Sequence, residues 1–297
     1  MNTDPASGAD EVTRFAVATD GVKLAVQERG DVARQTVVLV HGFPDNRSVW
    51  APVAERLARD FHVVTYDVRG TGDSGAPRKR RGYRMAQLSE DLATVIGLTS
   101  PNAPVHLMAH DWGSIQTWHS VTSPAFADRV LSFTSVSGPS LDMAGVWLRK
   151  GRRYPSDFLR QCADSWYIFA FQVPFLPEFL VRRGVVDALV ARSERIGAPA
   201  TRHMPAGRRP RRDLINGINL YRANIGSLMF PRPRRAVCPV QILAPLDDAH
   251  VTVPLALGAP RPYVDDLRVE TIPGNHWVVE QDPALIAGRF TQFITTS

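Results

Sequence analysis

His110-Asp111-Trp112-Gly113-Ser114, running straight on from Val105-His106-Leu107-Met108-Ala109, decides how this chain is read. An apolar run that breaks into a polar residue flanked by small ones predicts a strand turning sharply into a helix. A nucleophile elbow of this kind lifts one side chain above the sheet edge, and crowding at the turn demands small residues two before and two after it. Ala109 and Gly113 meet that demand around Asp111. The residue at the tip then selects the chemistry. Serine points to acyl transfer, whereas a carboxylate attacks saturated carbon, opening an epoxide or displacing a halide, and leaves a covalent ester.

Further motifs surround the elbow. His41-Gly42-Phe43-Pro44 follows the apolar strand Val37-Val38-Leu39-Val40, and Asp67-Val68-Arg69-Gly70-Thr71-Gly72-Asp73-Ser74 follows His62 to Tyr66. Ser132-Phe133-Thr134-Ser135-Val136-Ser137-Gly138-Pro139-Ser140 closes the set. On these motifs, from about Val22 to about Phe290, the chain resembles the α/β-hydrolase superfamily and, within it, the epoxide hydrolase branch. The resemblance implies an α/β fold: a mostly parallel eight-stranded sheet, helices on both faces and an inserted helical cap. Some mycobacterial members of the branch continue into a second, dehydrogenase-like domain, which a chain ending at Ser297 is expected to lack.

The order of elements agrees with that implication. Strands are predicted over Arg14 to Ala18, Lys23 to Glu28, Thr36 to Val40, His62 to Asp67, Val105 to Ala109, Val130 to Val136, Val240 to Ala244 and Arg268 to Ile272. Helices are predicted over Trp50 to Arg59, Met85 to Gly97, Trp112 to Thr122 and Pro283 to Thr295, the last opening on a proline suited to a first turn. Alternation of strand and helix indicates a parallel sheet covered on both faces. Between Leu141 and Arg234 the rhythm stops, and helical patches alternate with Pro, Gly and Arg-rich breaks. The division expected is therefore a core over 1–140 and 235–297 with a cap over 141–234. Gly197 to Arg212 reads as the least structured part of the cap, a length typical of mobile lids.

At 297 residues the chain suits one large core with an inserted subdomain. Cys162 and Cys238 are far apart and lack metal-ligand spacing, so neither a disulfide framework nor a zinc site is indicated, and a reducing cytoplasm is the default location. Met1 to Glu11 is polar and acidic, unlike a signal or transit peptide, and reads as a loose tail. The most apolar stretch, Trp166 to Val181, is broken by Pro174, Pro177 and Glu178 and falls short of the roughly 20 residues a spanning helix needs. Net charge is +6, but Leu141 to Arg234 holds 17 Lys and Arg against 7 Asp and Glu, which puts +10 on the cap and −4 on the remainder. A charge run of this kind is usually a solvated face, with an anionic lipid surface or an acidic substrate as the alternatives. No nucleic-acid recognition motif accompanies it.

Asp111 needs a partner to activate water against its ester. His276 in Gly274-Asn275-His276-Trp277 follows the last strand, late in the chain as the nucleophile, acid, histidine order of this fold requires. His41 and His110 read as loop buttresses, and His62, His106 and His119 as structural. An acid must orient His276 and stabilise its imidazolium. The seventh strand ends in Asp247-Asp248-Ala249-His250-Val251, and alignment with the family's run of Asp, two residues and Val nominates Asp248. Asp247 and, after strand six, Asp142 remain the alternatives.

An epoxide oxygen leaves only if something donates to it, and a phenol does so while staying protonated at neutral pH. The family's paired cap tyrosines match Tyr167 in Ser165-Trp166-Tyr167-Ile168-Phe169 and Tyr221 in Asn219-Leu220-Tyr221-Arg222. The backbone N–H groups of Phe43 and Trp112 are expected to form the oxyanion hole. Trp277 reads as either pocket wall or core.

The reaction implied is conversion of an epoxide to a vicinal diol through an Asp111 ester, without cofactor or metal. The substrate expected is a small, lipophilic epoxide, and the oligomeric state stays open. Two rival readings are carried forward. Haloalkane dehalogenases share the nucleophile, the histidine and the following Trp, but often place Asn where this chain has Phe43. A hydrolase-like ligand-binding protein would need none of these groups as a set.

Overall fold

The computed structural model describes residues 12–151, 155–197 and 209–296. Eight strands form one sheet: β1 (Val12–Val17), β2 (Lys23–Arg29), β3 (Thr36–Val40), β4 (His62–Tyr66), β5 (Val105–His110), β6 (Val130–Val136), β7 (Val240–Pro245) and β8 (Leu267–Ile272). Their spatial order is β1-β2-β4-β3-β5-β6-β7-β8. The β1–β2 and β2–β4 pairs are antiparallel, and the other five pairings are parallel. All eight strands lie where the apolar runs predict them.

The central strands are buried on both faces, as their unbroken Val and Leu content requires of a sheet covered on two sides. Successive side chains of β3 divide between two cores. Val38 and Val40 join a cluster with α2 (Met85–Thr99) and α3 (Trp112–Val121), whereas Val37 and Leu39 pack with α1 (Ala51–Leu57) and α12 (Pro283–Thr295). Period-two alternation in a doubly covered strand produces this split. The chain leaves β3 for β4 on one side and later returns to β5 on the other, so the strand order reverses at β3. Crevices for ligands form at the carboxyl ends of strands at such a switch point.

Between β6 and β7 the chain builds α4 (Leu141–Arg149), α5 (Pro155–Asp164), α6 (Trp166–Ala170), α7 (Leu176–Arg182), α8 (Val185–Ser193) and α9 (Arg211–Met229). These helices occupy the segment read as the cap. The 19-residue α9 ties it to the core through polar contacts. Asn224 receives the Met85 N–H and donates to the Tyr83 carbonyl, and Asp213 receives the Gly72 N–H. Leu214, Ile218 and Tyr221 join the main core from its inner face. Two shorter helices, α10 (Val253–Gly258) and α11 (Val278–Gln281), follow β7 and β8 and carry no strong sequence signal. The expected N-terminal tail falls outside the described residues, as does most of the Gly197 to Arg212 loop. Among the described residues no helix is long and apolar enough to cross a membrane.

Candidate active site

Asp111 sits between β5 and α3 with φ 52° and ψ −125°, the strained conformation of an elbow. The sterics behind its small neighbours are explicit. A Cβ on Gly113 would strike the carbonyls of Val40 and His41, and one on Gly42 would meet the Asp111 side chain and lie 2.6 Å from the Trp112 nitrogen. The glycines let β3 and the elbow approach this closely.

That approach sets the first contact. The Phe43 N–H donates to Asp111 Oδ1 at 2.8 Å. Beside it lies the Trp112 N–H, first in α3, which has no intrahelical acceptor. Oδ1 is thus held by a backbone N–H, and Oδ2 faces His276, whose Nε2 lies 3.4 Å away.

His276 follows β8, held from both sides. His110 Nε2–H donates to its carbonyl at 2.7 Å, and its Nδ1 lies 3.1 Å from both oxygens of Asp248. Asp248 also accepts the N–H groups of His250 at 2.8 Å and Val251 at 3.1 Å. Burial raises the Asp248 carboxyl, but His276 and these donors outweigh it and hold the group well below the usual carboxylate range. Burial likewise opposes the His276 cation. The flanking charges of Asp248 and Asp111 prevail and raise its pKa to about 10. The two alternative acids stand apart: Asp247 is exposed and Asp142 receives the Arg232 N–H.

Tyr167 on α6 and Tyr221 on α9 hang from the cap over Asp111. Their ring centroids are 5.9 Å apart, edge to face. Burial and the Asp111 carboxylate push the Tyr167 hydroxyl up, and burial, Tyr167 and Asp111 push Tyr221 up, so both remain O–H donors. The Trp112 ring packs edge to face against Tyr221, with ring centroids 4.7 Å apart. Trp277 lines the cavity and also bonds inward, its indole N–H donating to Asp45 at 3.1 Å. Arg209 pairs with Asp45 and Glu194, joining the loop after β3 to the end of α8.

Two cavities meet at Asp111, Tyr167, Tyr221 and His250. The larger, about 470 Å³, runs toward Leu180, Leu189 and Ile196. The smaller, about 130 Å³, runs toward Leu148, Leu228 and Leu255. Both arms are walled mainly by apolar side chains.

His250 was not among the residues singled out from the sequence. Its ring lies 4.7 Å from His276 and 5.7 Å from Tyr167, and its Nε2 is 2.9 Å from Ser193 Oγ on α8. Burial and the neighbouring His276 hold its pKa down at about 4, so the ring is neutral at pH 7. The only sequence signal was its place two residues beyond Asp248.

The sheet order, the elbow and the interrupted helical layer define an α/β-hydrolase fold. The α/β hydrolase fold family matches residues 35–165. The chain is 36% identical over 274 residues to a protein named probable oxidoreductase EphD of Mycobacterium tuberculosis, covering 89% of this chain and 45% of that protein. It is 25% identical to epoxide hydrolase 4 of Mus musculus over 98% of this chain and 81% of that one. The chain therefore spans about half the length of the mycobacterial relative. A Bacillus megaterium epoxide hydrolase solved with an inhibitor has the same fold, with a TM-score of 0.74 at 21% identity over 95% of this chain and all of that one.

Proposed function

We propose that this chain hydrolyses epoxides to vicinal diols, with Asp111 as nucleophile. The observation that carries the reading is the placement of two phenols on the same cavity as an elbow carboxylate whose second oxygen is already held by a backbone N–H. Oδ2 of Asp111 attacks an epoxide carbon and the carbon–oxygen bond breaks. Tyr167 and Tyr221 donate to the departing oxygen, which leaves as a hydroxyl after proton transfer. An ester now joins Asp111 to the substrate.

Forming the ester removes the negative charge of Asp111 beside His276. The imidazolium loses one of its two stabilising partners, so its pKa falls from about 10 and the ring gives up its proton to the phenolate left when a tyrosine protonated the departing oxygen. Neutral His276, oriented by Asp248, then takes a proton from water as that water attacks the ester carbon. The oxyanion forms on Oδ1, which the Phe43 N–H already binds. The Trp112 N–H is a second donor for it. Collapse releases the diol and restores the carboxylate.

Dehalogenation uses the same nucleophile and base, but Phe43 offers no side-chain donor to a halide. The epoxide hydrolases among the relatives support a small-molecule epoxide as substrate, and the apolar walls of both arms suit a lipophilic one. An assay for diol from an aryl epoxide alongside a bromoalkane tests the reading: diol without bromide release is expected, and bromide release alone makes the protein a dehalogenase.

A further inference from the structure

The outer face of the cap is apolar where a solvated helix layer would be polar. Leu159, Ala163, Trp166 and Phe169 recur every three or four residues through α5 and α6, Val173 follows in the turn after them, and all five are exposed. Trp166 is 56% exposed, Phe169 61%, and on α7 and the turn before it Phe179 is 50% and Phe175 83% exposed. Contiguous exposure of this kind marks an interaction surface. The outside also continues into the site. Ala163 and Trp166 line the larger arm and Cys162 and Phe169 the smaller, so the same helices wall both arms and face solvent.

Charge is distributed around this face asymmetrically. Of the five carboxylates on α5 to α8 and the turn after it, Asp164 faces Arg160, Glu178 is paired with Arg222 and Glu194 with Arg209. That leaves exposed Arg182, Arg183, Arg192 and Arg195 against Asp157 and Asp187. Arg183 lies 4.8 Å over the Phe179 ring, and among the described residues none of these four arginines makes an ion pair. Aromatic side chains beside unpaired arginines suit the interface of an anionic bilayer, where rings enter the headgroup boundary and cations meet lipid phosphates. A second copy of the chain fits less well, because a two-fold interface sets the same patch against itself and brings like arginines together.

We propose that the α5–α7 face of the cap docks on an anionic lipid surface and that lipophilic epoxides enter the two arms from that surface. The delivery part rests on the epoxide reading above; the docking part does not. Lipid contact by Trp166 and Phe169 would place the cavity rim within the acyl boundary, so a poorly soluble substrate need not cross water.

The test is co-sedimentation of the full chain with vesicles of phosphatidylglycerol or of phosphatidylcholine, with the oligomeric state followed by light scattering. Wild type is expected to pellet with the first and not the second. Each arginine near such a surface contributes about fivefold in partition, so Arg182→Glu with Arg183→Glu should lower it about twentyfold or more. Phe175→Asn with Phe179→Ser should lower it as well, both positions being exposed. Failure of wild type to bind phosphatidylglycerol vesicles overturns the proposal, as do variants that bind like wild type. A wild-type dimer that these substitutions dissociate shows that a second copy covers the face and overturns it too. Hydrolysis of a small water-soluble epoxide, measured on every protein, should be unchanged by the substitutions; absence of diol from wild type would remove the hydrolase reading while leaving the vesicle result intact.

Discussion

Asp111 and His276 face each other across 3.4 Å, Oδ2 to Nε2, while Oδ1 of the same carboxylate accepts the Phe43 N–H at 2.8 Å. One carboxylate thus presents its two oxygens to two different tasks. The first oxygen is free to attack, and the second is already where negative charge will develop.

The order of events makes His276 dispensable for the first step and necessary for the second. His276→Gln is expected to alkylate and then stall, so the protein mass should rise by the mass of the substrate after mixing with an epoxide. Steady turnover by this variant, measured as diol over time, would remove His276 from the role of base.

Tyr167 and Tyr221 share the donation to the departing oxygen. Either Phe substitution should slow ester formation, and the double variant should lose roughly a hundred- to ten-thousand-fold in single-turnover alkylation. Alkylation by the double variant at the wild-type rate would end the epoxide reading and favour dehalogenation.

The raised pKa of His276 depends on two carboxylates, and Asp111→Asn mimics the loss of one of them on ester formation. Its pKa, followed by imidazole NMR, should fall below the value of about 10 in the resting protein. An unchanged value would mean that Asp111 does not hold the proton on His276. The linkage sign follows from a folded pKa above the unfolded one, near 6.5. The stabilisation is complete below pH 6.5 and is lost as pH rises through 10. In the Asn variant that loss should finish at lower pH.

The elbow depends on Gly113 because the carbonyls of Val40 and His41 leave no room for a Cβ. Gly113→Ala should destabilise the protein by about 1–3 kcal/mol, as an overpacked core does. Equal denaturation midpoints for the two proteins would show that β3 yields there without strain.

Asp111, Phe43 and Gly113 were legible because the elbow and its neighbouring loop are local steric devices, written in consecutive residues. The central strands β3, β4 and β7 were legible for a similar reason, since their apolar runs are buried on both faces, whereas β1 and β8 are mixed in sequence and lie at the sheet edges. His250 was not. Its importance comes from a hydrogen bond to Ser193, 57 residues away, and from ring contacts with His276 and Tyr167 that no spacing encodes. The cap's positive charge was read correctly in sum but not in detail, since Arg209 and Arg222 are held in ion pairs with Asp45, Glu194 and Glu178 rather than spread over a solvated face. The two-armed cavity likewise depends on how α5 to α9 lie over β3 and β5, which is set by packing across the chain.

The covalent Asp111 ester is the centre of the account, and one experiment addresses it directly. A single turnover of excess enzyme with an epoxide in heavy-oxygen water should leave the label in the Asp111 carboxylate, found by mass spectrometry of the peptide that contains it, and release a first diol that is essentially unlabelled. Label in that first diol, with an unlabelled Asp111, would mean that water attacks the epoxide itself and that no ester forms.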